Sequence, residues 1–158
     1  MRVLVVDDEF VSRKKLQKII ESICDCEAVE NGGDALKLAV SENPPDLIIL
    51  DIMMDGMDGY DLCKRLKADR KTLSIPIIFI SGKSENEDEA KGLALGGADY
   101  ITKPFSPAIV KARVQTQLDL KKHRDHLEDI IKERTAELAR THVQLQQAQK
   151  MFVVCRYC

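Results

Sequence analysis

Short runs of large aliphatic residues recur along the first two thirds of the chain, and each run ends in polar side chains. Residues 47–50 are apolar at every position, which is typical of a strand buried on both faces of a parallel sheet. The runs and the residues that follow them are 3–6 before Asp7 and Asp8, 47–50 before Asp51, 77–80 before Ser81, and 100–101 before Thr102 and Lys103. Because ligands bind outside the carboxyl ends of parallel strands, these polar residues are candidates for chemistry.

Helical periodicity fills the intervals between the runs. Apolar residues recur there at three- and four-residue steps, and the Gly96-Gly97 pair is typical of a left-handed helix cap. The predicted stripes are Leu16, Ile19, Ile20 and Ile23; Ala35, Leu36, Ala39 and Val40; Leu62, Cys63 and Leu66; and Ala90, Leu93 and Ala94. Residues 26–30 predict a short, poorly hydrophobic strand at a sheet edge.

This alternation of strands and helices predicts right-handed strand-helix-strand units and an α/β fold. We expect a flavodoxin-like, doubly wound sheet of five parallel strands. Asp7 and Asp8 can act together with Asp51 only if the first and third strands are neighbours. That requirement favours the strand order 2-1-3-4-5.

A long helix follows this domain. Ser106 and Pro107 are suited to the first turn of a helix, and residues 108–150 contain neither Gly nor Pro. Its apolar residues alternate in steps of four and three, a heptad pattern that Arg124, Arg134 and Thr141 interrupt. The seam comprises Leu120, Leu127, Ile131, Leu138, Leu145, Ala148 and Phe152. We expect a dimeric coiled coil, the alternative being a solvated helix that packs on its own domain.

The predicted organisation is a domain at residues 1–120, a coiled-coil helix at 121–150 and a disordered tail at 151–158. The 158 residues carry 24 basic and 26 acidic side chains, so charge gives no case for binding nucleic acid or an acidic membrane. No apolar run is long enough to span a membrane, and no leader peptide precedes the first strand. We therefore expect a cytoplasmic protein whose cysteines are reduced.

Carboxylates that converge without any nearby His or Cys predict a site for Mg²⁺ rather than zinc. Magnesium held by a few carboxylates usually completes its shell with water and a phosphate oxygen, so a phosphoryl group is the expected substrate. Asp51 could accept that group as an aspartyl phosphate. Lys103 and Ser81 would supply a positive charge and a hydroxyl beside it.

With these residues in place, residues 1–120 resemble the receiver domain of two-component response regulators. The matching positions are the acidic pair Asp7 and Asp8, the phosphoacceptor Asp51, the switch residues Ser81 and Tyr100, and Lys103-Pro104. The resemblance implies that Asp8, Asp51 and the backbone carbonyl of Met53 hold Mg²⁺, with Asp7 acting mainly through water. It also implies that Met53 and Lys83 occupy the positions that govern dephosphorylation.

One position departs from the family pattern. Family members usually carry Pro in the turn after the phosphoacceptor, where this chain has Asp55. This substitution is expected to loosen the turn or to add charge near the metal, while leaving the catalytic residues intact.

The resemblance implies a switch in which a histidine kinase or phosphotransfer protein phosphorylates Asp51 and the signal passes through a dimeric helix. Residues 106–110 and 133–138 also resemble linkers to cyclic-di-GMP-related output domains, so a truncated receiver and linker is an alternative. A haloacid-dehalogenase-like phosphatase would need Asp-x-Asp-Gly where residues 7–10 read Asp-Asp-Glu-Phe. No output enzyme motif is present, and only self-phosphorylation and self-dephosphorylation chemistry is expected.

Overall fold

A computed structural model describes residues 1–82 and 86–156 of the chain. Strands and helices alternate strictly, as the sequence predicts. The elements are β1 Arg2–Val6, α1 Phe10–Glu21, β2 Asp25–Val29, α2 Gly32–Ala39, β3 Leu47–Asp51, α3 Gly59–Ala68, β4 Ile77–Ser81, α4 Asn86–Ala94, β5 Asp99–Thr102 and α5 Pro107–Arg156.

The five strands form one parallel sheet in the order β2-β1-β3-β4-β5, which confirms the predicted fold and order. The register between β1 and β3 pairs Val6 with Leu50. Asp7 and Asp51 each follow one member of that pair, so the register alone brings the two carboxylates to the same point of the sheet edge.

Two apolar layers cover the sheet, one on each face. Successive side chains of a strand point to opposite faces, and every residue of β3 is buried. Ile48 and Leu50 belong to one core cluster, whereas Leu47 and Ile49 belong to the other. The uninterrupted apolar run in the sequence therefore reflects burial on both sides of the strand.

The apolar stripe predicted for α4 is wrong in its details. Leu93 is 44% exposed, and Gly92 is the buried residue of this helix. A Cβ atom placed on Gly92 would lie 2.9 Å from the Phe79 ring, and one on Gly97 would lie 2.5 Å from it. The Phe79 ring occupies the space that a leucine on α4 would otherwise fill, so the helix faces the sheet with a glycine.

Helix α5 contributes to two compact units, Met1–Lys121 and Lys122–Cys158. Val110, Val114 and Leu118 are buried in the first unit. The helix continues through Arg156, beyond the end predicted at residue 150, because no Gly or Pro interrupts it. The expected tail is therefore helical at residues 151–156, while residues 157–158 lie outside the described part of the chain.

In the second unit, the large apolar side chains of the predicted seam are exposed in the single chain. Leu138 is 71% exposed and Phe152 is 72% exposed. Over the described residues, α5 and the other helices fall short of the length and hydropathy that a membrane span requires.

Candidate functional site

Three carboxylates meet where β1 and β3 end. Asp51 is the last residue of β3, and Asp7 and Asp8 directly follow β1. One oxygen from each carboxylate lies within 4.8 Å of the others. Asp7 and Asp51 are buried, and Asp8 is exposed at the rim. The sequence predicted this convergence.

Lys103 follows β5 and extends its ammonium group into this cluster. Its Nζ lies 3.2 Å from Asp51 Oδ2, 3.3 Å from Asp7 Oδ2 and 3.6 Å from Glu9 Oε2. Burial lowers the pKa of Lys103, but the charges of Asp51 and Asp7 outweigh that effect and the net pKa is raised. The side chain therefore stays a cation at neutral pH.

Asp51 is only 3% exposed, and its carboxyl group is harder to ionise than usual. Burial, followed by the charge of Asp7 and a hydrogen bond with it, raises the pKa of Asp51 from 3.8 to about 6. Lys103 and the N–H of Met53 oppose this rise without cancelling it. The carboxylate at this position is thus ionised at neutral pH but destabilised relative to one in water.

Backbone N–H groups orient each carboxylate. Glu9 N donates to Asp7 Oδ1 at 2.9 Å, Met53 N donates to Asp51 Oδ1 at 3.1 Å, and Asp55 N donates to Asp8 Oδ2 at 3.2 Å. Asp55 makes a bond that a proline could not make, because proline has no N–H. The departure from the family pattern therefore adds a contact to the rim carboxylate.

The turn after Asp51 depends on Gly59 at the start of α3. A Cβ atom on Gly59 would lie 2.4 Å from the backbone oxygen of Asp51 and 2.7 Å from Cα of Ile52. A side chain at this position would displace the backbone of the phosphoacceptor candidate itself. Asp58 begins α3 by accepting a hydrogen bond from Asp61 N at 2.8 Å.

Ser81 and Tyr100 lie together beside the carboxylates, and both are buried. Burial raises the pKa of Tyr100, and a hydrogen bond with Ser81 partly offsets the rise. The Tyr100 ring belongs to the apolar cluster that also contains Phe79 and Tyr60.

An open cleft of about 380 Å³ lies beside Asp51, between the turn after β3 and helix α4. Met53 and Ser81 line it near the carboxylates, and Tyr60 and Lys91 line it farther away. The Met53 side chain is 59% exposed. Lys83, the other residue expected to govern dephosphorylation, lies outside the described residues.

Two residues of the site were not found from the sequence. Glu9 contacts Lys103, and its position after the acidic pair was an available signal. Arg13 donates from Nη1 to the backbone oxygen of Asp7 at 2.8 Å and lies 3.8 Å from Glu30. Nothing in the sequence marks Arg13, because this contact depends on how α1 packs beside β1.

All donors in the cluster are carboxylate oxygens, which suit Mg²⁺ better than zinc or copper. Burial and the charge of Asp7 keep the pKa of Asp51 raised although Lys103 opposes the rise, so a further cation beside these carboxylates would be favourable. The residues present therefore fit a hard divalent cation.

We predict that Asp51→Asn stabilises the metal-free protein at pH 8. The pKa of the Asp51 carboxyl group is higher in the folded state than its ordinary value, so its ionisation lowers the stability of the folded protein as pH rises from about 4 to about 6. A neutral amide avoids that loss, so the free energy of unfolding should increase by about 1–3 kcal/mol. Chemical denaturation in the presence of a chelator measures it, and a less stable variant would contradict the electrostatic account.

Comparison with known proteins agrees with this geometry. The family model for the response regulator receiver domain matches residues 3–115. The phosphate regulon transcriptional regulatory protein PhoB of Pseudomonas aeruginosa is 41% identical over 117 residues, which cover 73% of this chain and 51% of PhoB. PhoP of Bacillus subtilis, an alkaline phosphatase synthesis regulator, is 44% identical over 118 residues, covering 74% and 48%.

A probable cyclic di-GMP phosphodiesterase of Vibrio cholerae is 35% identical over 145 residues, covering 87% of this chain and 33% of the relative. The chain thus spans about half, or less, of the length of these relatives. Among solved structures, the BeF3-activated DrrB receiver domain has a TM-score of 0.67 at 30% identity, covering 75% of this chain and 97% of DrrB. The receiver domain of Francisella response regulator 1452 has a TM-score of 0.68 at 31% identity, covering 75% and 96%.

The family match covers more than two thirds of the chain and includes all three carboxylates and Lys103. The strand order and the site agree with it. This chain belongs to the response regulator receiver family of two-component systems.

Proposed function

We propose that Asp51 accepts a phosphoryl group from a histidine kinase or phosphotransfer protein. The observation that carries the proposal is the Lys103 ammonium, 3.2 Å from Asp51 Oδ2 at the end of the central strand. An Asp51 oxygen would attack phosphorus as the bond from phosphorus to the donor imidazole nitrogen breaks. The electron pair of that bond stays on the imidazole, and Lys103 then has a phosphoryl oxygen to contact in place of a carboxylate oxygen.

Mg²⁺ is the proposed cofactor. Asp8, Asp51 and the backbone carbonyl of Met53 would hold the ion, with Asp7 acting mainly through water. When bound, it supplies positive charge against the phosphoryl oxygens. The oxygen-only donor set supports this choice, and so does the excess negative charge around Asp51.

Incubation with acetyl phosphate and Mg²⁺ should add one phosphoryl group to the parent protein, as measured by intact mass. Asp51→Asn should abolish the addition because it removes the nucleophile. Asp58→Asn is a matched control, because it makes the same change at an acid that caps α3 outside the cluster, and it should be labelled like the parent. Labelling of Asp51→Asn would contradict the assignment.

We further propose that Ser81 transmits phosphorylation by exchanging partners. In the unphosphorylated protein, Ser81 is hydrogen bonded with Tyr100. A phosphoryl group on the neighbouring β3 would offer the hydroxyl a charged acceptor, and charge-assisted hydrogen bonds are stronger than neutral ones. Tyr100 would then lose its partner, and the surface formed by β5 and its flanking helices would change.

Ser81→Ala should accept a phosphoryl group on Asp51 but fail to change the environment of Tyr100. Tyrosine-selective NMR before and after addition of acetyl phosphate measures that change. Ser81→Thr keeps the hydroxyl and should respond like the parent. A full Tyr100 response in Ser81→Ala would show that the signal takes another route.

The output proposed for the chain is a homodimer formed by α5. Leu127, Ile131, Leu138 and Leu145 are exposed in the single chain and follow the heptad repeat. Burying each of these side chains is worth about 1.5–3 kcal/mol. Pairing two copies along this seam removes them from water, while Arg134 and Thr141 limit the stability of the pair.

Leu138→Asp should therefore weaken the dimer about tenfold or more, since it places a carboxylate in the seam. Ala139→Asp adds the same charge at the next, outward position and should leave the dimer nearly unchanged. Sedimentation equilibrium at tens of micromolar protein measures the dimer Kd of the two variants and of the parent. Equal effects of the two substitutions would show that the seam is a solvated helix.

One observation favours a second candidate, the receiver and linker portion of an enzyme related to cyclic di-GMP. The Vibrio cholerae relative matches 87% of the chain. This is a larger share of the chain than the first unit, Met1–Lys121, occupies. Its similarity therefore extends into the long helix. Replacing the matching part of that relative with this chain tests the candidate: hydrolysis of cyclic di-GMP that still responds to acetyl phosphate would support it, and loss of response would not.

A further inference from the structure

Polar and ionisable residues flank the apolar seam of α5 on both sides. In heptad notation, Ile131, Leu138 and Leu145 occupy position a, and Leu127, Arg134 and Thr141 occupy position d. The residues that flank this seam are His123, Ile130, Glu137 and Gln144 at position g and Glu128, Thr135, His142 and Gln149 at position e. All eight are exposed in the single chain.

In a parallel, in-register coiled coil, a residue at g lies beside the e residue five positions later in the other helix. That rule places Glu137 beside His142 of the second copy. It also places His123 beside Glu128 of the second copy. Both flanking ionisable pairs thus combine an acid with a base, and neither combines like charges.

We propose that a second copy of this chain binds α5 in parallel and in register, and that the Glu137–His142 pairs select this arrangement. The inference rests on the proposed dimer and adds its orientation and register. Twofold symmetry gives two such pairs for each dimer.

The surroundings of His142 make this pair easy to interpret. On its own helix, His142 Nε2 lies 3.1 Å from Gln146 Nε2, and no charged residue lies three or four positions away. The second copy presents Glu137 and Thr141 to it. The His142 side of the pair therefore has few charged groups that could compete with Glu137.

Glu137 has more neighbours than His142. Arg134 Nη1 lies 3.9 Å from Glu137 Oε2, and Glu133 and Arg140 lie one turn away. Glu137 consequently stands between Arg134 of its own helix and His142 of the second copy. This position also offsets the repulsion of the two Arg134 side chains that meet in a parallel dimer.

The His123–Glu128 pair selects the arrangement less strongly. Arg124 lies four residues before Glu128 on the same helix, so it competes with His123 of the other copy for that carboxylate. An antiparallel pair would instead place g residues beside g residues and e residues beside e residues. Glu137 and His142 would then have no contact, and this difference makes the inference testable.

The test is a charge exchange followed by sedimentation equilibrium of the full chain at about pH 6. Glu137→Lys and His142→Glu should each raise the dimer Kd about fivefold, because each replaces two acid–base pairs with pairs of two bases or two acids. The double variant restores attraction, so its Kd should return to within about twofold of the parent. Asp129→Lys, at outward position f, controls for charge and should change Kd by less than about twofold.

A double variant as weak as the product of the single effects would overturn the proposed orientation and register while leaving the dimer itself intact. A parent chain that remains monomeric at tens of micromolar would instead contradict the proposed dimer on which this inference rests.

Discussion

The site depends on the contact of one ammonium group with two buried carboxylates. Lys103 lies within 3.3 Å of both Asp7 and Asp51, and a buried charge without a partner would cost several kcal/mol. The parallel sheet makes the contact possible, because the switch point between β1 and β3 places the two acids side by side. Strand β5, two positions away from β3, then supplies the cation.

One cation does not balance this much negative charge. Burial and the charge of Asp7 keep the pKa of Asp51 raised although Lys103 contacts its carboxylate, so ionising Asp51 carries an electrostatic cost. A divalent cation would relieve it, and an incoming phosphoryl group would give Lys103 a new acceptor. The same buried carboxylates thus destabilise the free protein and would favour binding of the proposed ligands.

The fold and most of the site could be predicted because they follow from local patterns. Apolar runs identified the strands, and the polar residues that end them identified Asp7, Asp51, Ser81 and Lys103. The remainder depends on packing between distant segments. The sequence does not show that the Phe79 ring leaves room only for a glycine on α4, or that Arg13 reaches the Asp7 carbonyl.

Fluorine NMR of the protein with beryllofluoride and Mg²⁺ tests whether Asp51 accepts a phosphoryl group, because this anion imitates a phosphoryl group on a carboxylate. We expect resonances of bound fluoride that require Mg²⁺, weaken in Lys103→Ala and vanish in Asp51→Asn. Bound resonances that persist in Asp51→Asn, or none with the parent protein, would contradict a phosphoryl-acceptor site at Asp51.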